Sequence, residues 1–193
     1  MIGHSLGARI LFSAVGQHLI YEVQRAHPGF PGGAYKTIRG PADLILLLNP
    51  AIEASAYFTF ATMSRPREYF APEQRPLFVT IATDNDDATK YLFPVGQFIG
   101  MLRDERDLNT IGNYRPYQTH RLSIADQSSG KAGDNAICTK TGCVARTDHV
   151  QSTNPFWVVT TDKTMLDNHN GIWTKGFTAW LHEFIEVMRP ETQ

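Results

Sequence analysis

Residues 1–10 read MIGHSLGARI, and within them Gly3 to Gly7 spell Gly-His-Ser-Leu-Gly. A serine with glycines two before and two after fits a tight strand-to-helix turn that holds the hydroxyl clear of its own backbone. The plainer reading is a helix-capping serine beside turn glycines. In a chain with 15 glycines the pattern alone is a weak signal. Its meaning depends on the segments that follow.

Immediately downstream, Leu11, Ala14, Val15, Leu19 and Val23 recur at helical spacing, and the Pro and Gly residues of HPGFPGG (27–33) end the pattern. Ser5 therefore stands just before a helix of about five turns. Leu44 to Leu48 then form an unbroken apolar run bounded by Pro41 and Asn49-Pro50, and Leu77 to Ala82 form another, broken by TDNDDAT. Phe156 to Thr161 make a third. Runs of this kind predict strands buried on both faces, as in a parallel sheet covered by helices. At the end of the chain, Phe177, Trp180, Leu181, Phe184, Ile185 and Met188 share one helical face. Strands alternating with helices predict an α/β domain with a mostly parallel sheet. Residues 1–193 read as a single domain, with a long insertion at about 96–154 that shows no clear buried strand. Within it, GQFIGMLRDERDL suggests a short helix and SSGKAGDNAICTKTGC an irregular loop.

Composition narrows the function classes. Hydrophobic residues are 42% and charged residues 19%, an ordinary globular balance able to bury a core at this length. A net charge of -1 without a polybasic run argues against nucleic acid as a partner. No apolar run reaches the roughly 18 residues of a membrane span. Cys138 and Cys143 lack the further ligands a zinc site needs, so a metal or redox protein built on them is a weak reading. Two free thiols, as in the cytoplasm, are the plain expectation; a local disulfide, implying an oxidising compartment, is the alternative.

A serine nucleophile needs a base within reach and a group that orients the base. In strand-to-helix elbows these partners follow in chain order as acid, then histidine. The turn after the second apolar run offers Asp84, Asp86 and Asp87, at the strand end where open α/β sheets place their sites; a solvated acidic turn is the competing reading. The turn after the third run carries His169 in DNHNGIW. The other histidines fit less well. His4 would point into the flanks of the elbow, His18 and His182 lie on helical segments, His27 is in a turn, and His120 and His149 fall in the insertion.

Taken together, GHSLGA, PLFVTIATDNDDAT and DNHNGIW resemble the nucleophile elbow, acid segment and histidine loop of the α/β-hydrolases, covering nearly the whole chain outside the insertion. The resemblance implies a partial α/β-hydrolase fold beginning at the elbow and lacking the N-terminal strands. It makes Ser5 the nucleophile, His169 the general base, Asp86 the orienting acid with Asp84 and Asp87 as fallbacks, and the backbone N–H of Leu6 an oxyanion donor. The implied reaction is hydrolysis of an ester or related acyl bond of a small molecule through an acyl-enzyme, with no metal or organic cofactor. A non-catalytic binding protein on a degenerate hydrolase scaffold is the alternative.

In that family several strands precede the elbow and one of their loops supplies a second oxyanion N–H. Met1 and Ile2 are too few to make the central strand, which predicts an exposed apolar sheet edge. The expectation is that residues 1–193 alone are unstable or inactive unless a partner chain or a further N-terminal segment completes the sheet. A monomeric, cooperatively folding chain with robust esterase activity would overturn it. Tyr91, Phe93, Phe98, Tyr114 and Tyr117 either line an acyl pocket or pack the insertion, and Arg115 and Arg121 either bind a substrate carboxylate or face water.

Overall fold

The aliphatic runs form the centre of a sheet because both of their faces are covered. The computed structural model describes residues 1–29, 34–63, 70–86, 109–125, 136–148 and 150–189. Among these, seven strands make one sheet: β1 (Ile2–His4), β2 (Ile45–Leu48), β3 (Phe78–Thr83), β4 (His120–Ile124), β5 (Ala136–Cys138), β6 (Gly142–Arg146) and β7 (Phe156–Thr161). Their order is β1-β2-β3-β7-β4-β6-β5. The first five in that order run parallel, and β6 and β5 complete the sheet antiparallel. The α/β class and mostly parallel sheet are as expected.

The principal helices are α1 (Leu6–Ala26), α2 (Phe58–Met63) and α3 (Lys175–Met188). Alternation along the strands divides the core into two layers. Ile45, Leu47, Phe78, Phe156 and Val158 pack with Val15, Leu19 and Val23 of α1 and Phe60 of α2. On the opposite face Leu46, Leu48, Val79, Ile81 and Val159 pack with Phe177, Trp180 and Phe184 of α3. The helical stripes hold with one exception, since Ala14 is exposed and Ala8, Gly16 and Ala26 complete the buried face of α1. Thr174 starts α3 by accepting a hydrogen bond on its hydroxyl from the Phe177 N–H.

Three findings stand beside the expectations. First, Ile2 joins Gly3 and His4 in a three-residue strand that pairs with Leu46, Leu47 and Leu48, at the end of the sheet rather than its centre, in keeping with the expectation that the residues before Ser5 are too few for a central strand. It is an edge strand among the described residues, with Met1 and Ile2 half exposed and Leu6 and Ile10 of the adjoining helix more exposed still. Second, β4, β5 and β6 lie within the stretch read as an insertion without strands. Their pattern hides them: His-Arg-Leu-Ser-Ile of β4 mixes polar and apolar residues, and β5 has only three residues. Third, Cys138 and Cys143 face each other across the β5–β6 hairpin and form a disulfide rather than free thiols. Thr141, in the turn of that hairpin, donates from both its N–H and its hydroxyl to the Glu183 carboxylate, fastening the hairpin to α3. The short helix suggested for residues 96–108 lies outside the described residues.

Candidate active site

Ser5 occupies the single residue between β1 and α1. A chain that leaves a strand and starts a helix with no intervening loop must turn sharply, and Ser5 does so at φ 53°, ψ -121°. The strained turn is held by the neighbouring strand end: the Ser5 N–H donates to the Leu48 carbonyl at 3.1 Å, and the Ser5 carbonyl accepts from Ala51 N–H at 3.2 Å. The serine hydroxyl does not cap the helix it precedes. This removes the capping explanation of the motif and leaves the hydroxyl available for chemistry. Leu6 is the first residue of α1, so its N–H has no acceptor within its own helix, as an oxyanion donor requires.

The two glycines of the motif differ. A Cβ on Gly3 would meet Ala8 Cα at 2.8 Å and the Gly7 carbonyl oxygen at 3.0 Å, so the helix can approach the strand only because Gly3 has no side chain. A Cβ on Gly7 would meet nothing within 4 Å, so the second glycine avoids no clash.

Among the three candidate acids, Asp86 meets the histidine. Its carboxylate Oδ2 lies 2.7 Å from His169 Nδ1, with the Asp86 side chain fully buried and that of His169 17% exposed. A carboxylate can only accept, so Nδ1 carries a proton; in the neutral ring this leaves the lone pair on Nε2, the form a general base needs. Asp84 is exposed, its N–H donating to the Thr161 carbonyl at the end of β7. Asp87 lies outside the described residues.

Side-chain hydrogen bonds lock the acid turn and the histidine loop together. Asn85 Oδ1 accepts from the Thr83 hydroxyl at 2.6 Å and from the Asn168 N–H at 3.2 Å, while its Nδ2 donates to Asp167 at 2.8 Å. Asn168 itself has φ 61°, a left-handed conformation that Asn tolerates, and accepts from the His169 N–H on its own side chain. Asn49 follows β2 at φ 39° and is buried. Its Oδ1 accepts from the Thr83 N–H at 3.1 Å and its Nδ2 donates to the His169 carbonyl at 3.0 Å.

His4 does not simply flank the elbow as expected. Its Nε2 lies 3.1 Å from the His169 carbonyl, and the two rings stand 4.8 Å apart between centroids. Because a carbonyl only accepts, His4 carries its proton on Nε2. Burial holds its pKa below the usual histidine value, opposed by the hydrogen bond to His169 and reinforced by the charge His169 would carry if protonated. No hydrogen bond joins Ser5 Oγ to His169 among the described residues.

The remaining sequence candidates fall elsewhere. His120 is buried in β4 with its ring stacked on Trp157 at 3.9 Å, and burial, with a further contribution from the Arg146 charge, lowers its pKa to about 3. His18 and His182 are exposed on α1 and α3, His27 follows α1, and His149 is outside the described residues. Tyr117 is buried and packs against Tyr57 and Tyr114, which answers the packing alternative for these two insertion tyrosines. Tyr91, Phe93 and Phe98 are outside the described residues. Arg121 pairs with Asp162 at 3.3 Å and Arg115 is exposed. Asn49, Asn85 and Asn168 are not among the site residues the sequence singles out; its only cues are the place of Asn49 and Asn85 after strand ends and of Asn168 next to His169. Among the described residues no cluster of His, Cys, Asp or Glu could hold a metal ion, and no helix is long and apolar enough to cross a membrane.

The geometry thus comprises an uncapped serine on a strained elbow, a buried carboxylate bonded to a histidine, and asparagines stitching their loops together. Comparison of the chain with protein-family models, with curated proteins and with solved structures gave no significant match.

Proposed function

We propose that the protein is a serine hydrolase of the α/β-hydrolase type, acting on an ester or related acyl bond of a small molecule. The observation that carries this reading is the 2.7 Å contact between buried Asp86 and His169 Nδ1, in a loop that also touches the residue preceding Ser5. A buried carboxylate on a polar-loop histidine fixes both its tautomer and its orientation, which a merely structural surface histidine does not need. In this reading Ser5 Oγ attacks the acyl carbonyl carbon while His169 Nε2 takes its proton. The tetrahedral oxyanion is stabilised by the Leu6 N–H and the positive end of α1. His169 then passes the proton to the leaving group, an acyl-Ser5 ester remains, and water activated by the same imidazole releases the acid. Asp86 stabilises the imidazolium in both steps.

The test is covalent labelling with a fluorophosphonate probe followed by peptide mapping. Ser5 is the expected site and Ser5→Ala should abolish the label. A folded preparation that takes up no label would favour the binding-protein alternative.

A further inference from the structure

Ser5, Asn49 and Asn168 are the non-glycine residues with positive φ among the described residues, and hydrogen bonds bring all three to one place. Ser5 supplies the proposed nucleophile and Asn168 precedes the proposed base. Asn49 belongs to neither loop, yet it touches both the acid turn and the histidine loop.

We infer that Asn49 is a positioning residue for the proposed Ser5–His169–Asp86 machinery, its side-chain amide bridging the root of the acid turn and the carbonyl of His169; the inference rests on the hydrolase reading above. The bridge has two arms. On one, Asn49 Oδ1 accepts from the N–H of Thr83, three residues before Asp86. On the other, Asn49 Nδ2 donates to the His169 carbonyl at 3.0 Å and lies 3.4 Å from the Asn168 carbonyl. The amide is anchored from its own backbone as well, since Asn49 N–H donates to Ile81 of β3 at 2.8 Å. One rigid strand end thus sets the separation of the acid and the base, and it is the same strand end that holds Ser5 through Leu48 and Ala51. A planar amide with a donor and an acceptor is suited to this; Asp would keep the acceptor and lose the donor, and Gly would keep only the backbone conformation. The side chain is buried and partnered on both sides, so its loss takes the acceptor from the Thr83 N–H and leaves the His169 carbonyl, held by His4 Nε2, without its amide donor.

The test compares Asn49→Asp and Asn49→Gly with wild type by the rate of Ser5 phosphonylation, by its pH profile, and by the downfield NMR resonance of the His169 Nδ1 proton. Asn49→Asp removes the His169 arm and is expected to slow labelling about tenfold to a hundredfold, as misplacement of a reacting group by an ångström would. It is also expected to shift or broaden the Nδ1 proton signal. Asn49→Gly, which adds no charge and tolerates the positive φ, is expected to show the same two changes, and it carries the test alone if Asn49→Asp does not fold. Wild-type labelling rate, pH profile and proton signal in a folded variant, with only a lowered Tm, would make Asn49 structural and overturn the inference. If wild type itself takes no label at Ser5, the hydrolase reading fails; if wild type labels normally and the folded variants match it, only the role of Asn49 fails.

Discussion

Replacing Asp86 with Asn keeps the shape of the side chain and exchanges a carboxylate oxygen for an amide. In the structure that carboxylate is fully buried and lies 2.7 Å from His169 Nδ1, so solvent cannot take its place. The amide nitrogen of Asn would turn toward Nδ1 and donate to it, which drives the imidazole proton to Nε2. In the proposed mechanism His169 would then offer the Ser5 hydroxyl an N–H instead of a lone pair. An acid-to-amide exchange of this kind costs a serine hydrolase about 10⁴ in rate, or about 5 kcal/mol of transition-state stabilisation. The fold should survive, because the substitution leaves no buried charge without a partner. The assay is the second-order rate of Ser5 phosphonylation near pH 7, with the circular dichroism spectrum and Tm recorded in parallel. Asp84→Asn serves as the control, since Asp84 is exposed and is predicted to label as wild type does. Folded Asp86→Asn that labels at the wild-type rate would refute the assignment of Asp86 and the tautomer argument with it.

Two further outcomes follow from local geometry and from burial. Gly3→Ala pushes a methyl against backbone atoms of Ala8 and Gly7 that cannot swing aside, whereas Gly7→Ala enters open space. Urea denaturation should find Gly3→Ala destabilised by about 1–3 kcal/mol and Gly7→Ala close to wild type; equal effects would contradict the close approach of α1 to β1. Burial, then Arg146, lowers the His120 pKa from 6.5 to about 3, so between those values the unfolded chain binds a proton that the folded chain excludes. Stability from this group is complete above the unfolded value and falls as the pH drops, at up to about 1.4 kcal/mol per pH unit. His120→Phe keeps a ring on Trp157 and should flatten the fall of Tm between pH 6.5 and 4; an unchanged slope would exclude His120 as its source.

The legible parts of the fold were the segments with only one environment. Ile45–Leu48, Phe78–Thr83 and Phe156–Thr161 are buried at every position, and such runs have no polar face to obscure them. The terminal helix was equally plain because Phe177, Trp180, Phe184 and Met188 repeat on one side. The extension β4–β6–β5 was not legible. Its residues range from buried to exposed with no unbroken apolar run, and β4 finds its antiparallel partner in β6 rather than in the next strand along the chain. The disulfide depends on that hairpin: the spacing of Cys138 and Cys143 allows a local bridge, the alternative to free thiols, but only the pairing of β5 with β6 sets them opposite each other. β1 is hidden for another reason: three residues carry too little pattern to read, and its partner lies more than forty positions away.

Within the candidate site, the chemically distinctive residues could be read and those that hold them could not. Asp86 and His169 stand in the turns that follow legible strands, and Ser5 stands immediately before a legible helix. Asn49 was read only as the end of an apolar run, since its amide contacts Thr83 and His169, which lie 34 and 120 positions away. The conformation of Ser5 separates coincidence from design more sharply than the motif does. A serine that merely starts a helix relaxes into extended backbone and caps it with its hydroxyl. Ser5 instead takes a positive φ and forgoes the cap, and conformations of this kind cost about 1–3 kcal/mol each. Leu48 and Ala51 of the neighbouring strand end hold it there, while Asn49 between them reaches the loop of His169. The backbone bonds that maintain the strain thus come from the same few residues that tie the base to the acid. That convergence supports the proposed role of Ser5 as a nucleophile, since a capping serine would have no reason to keep it.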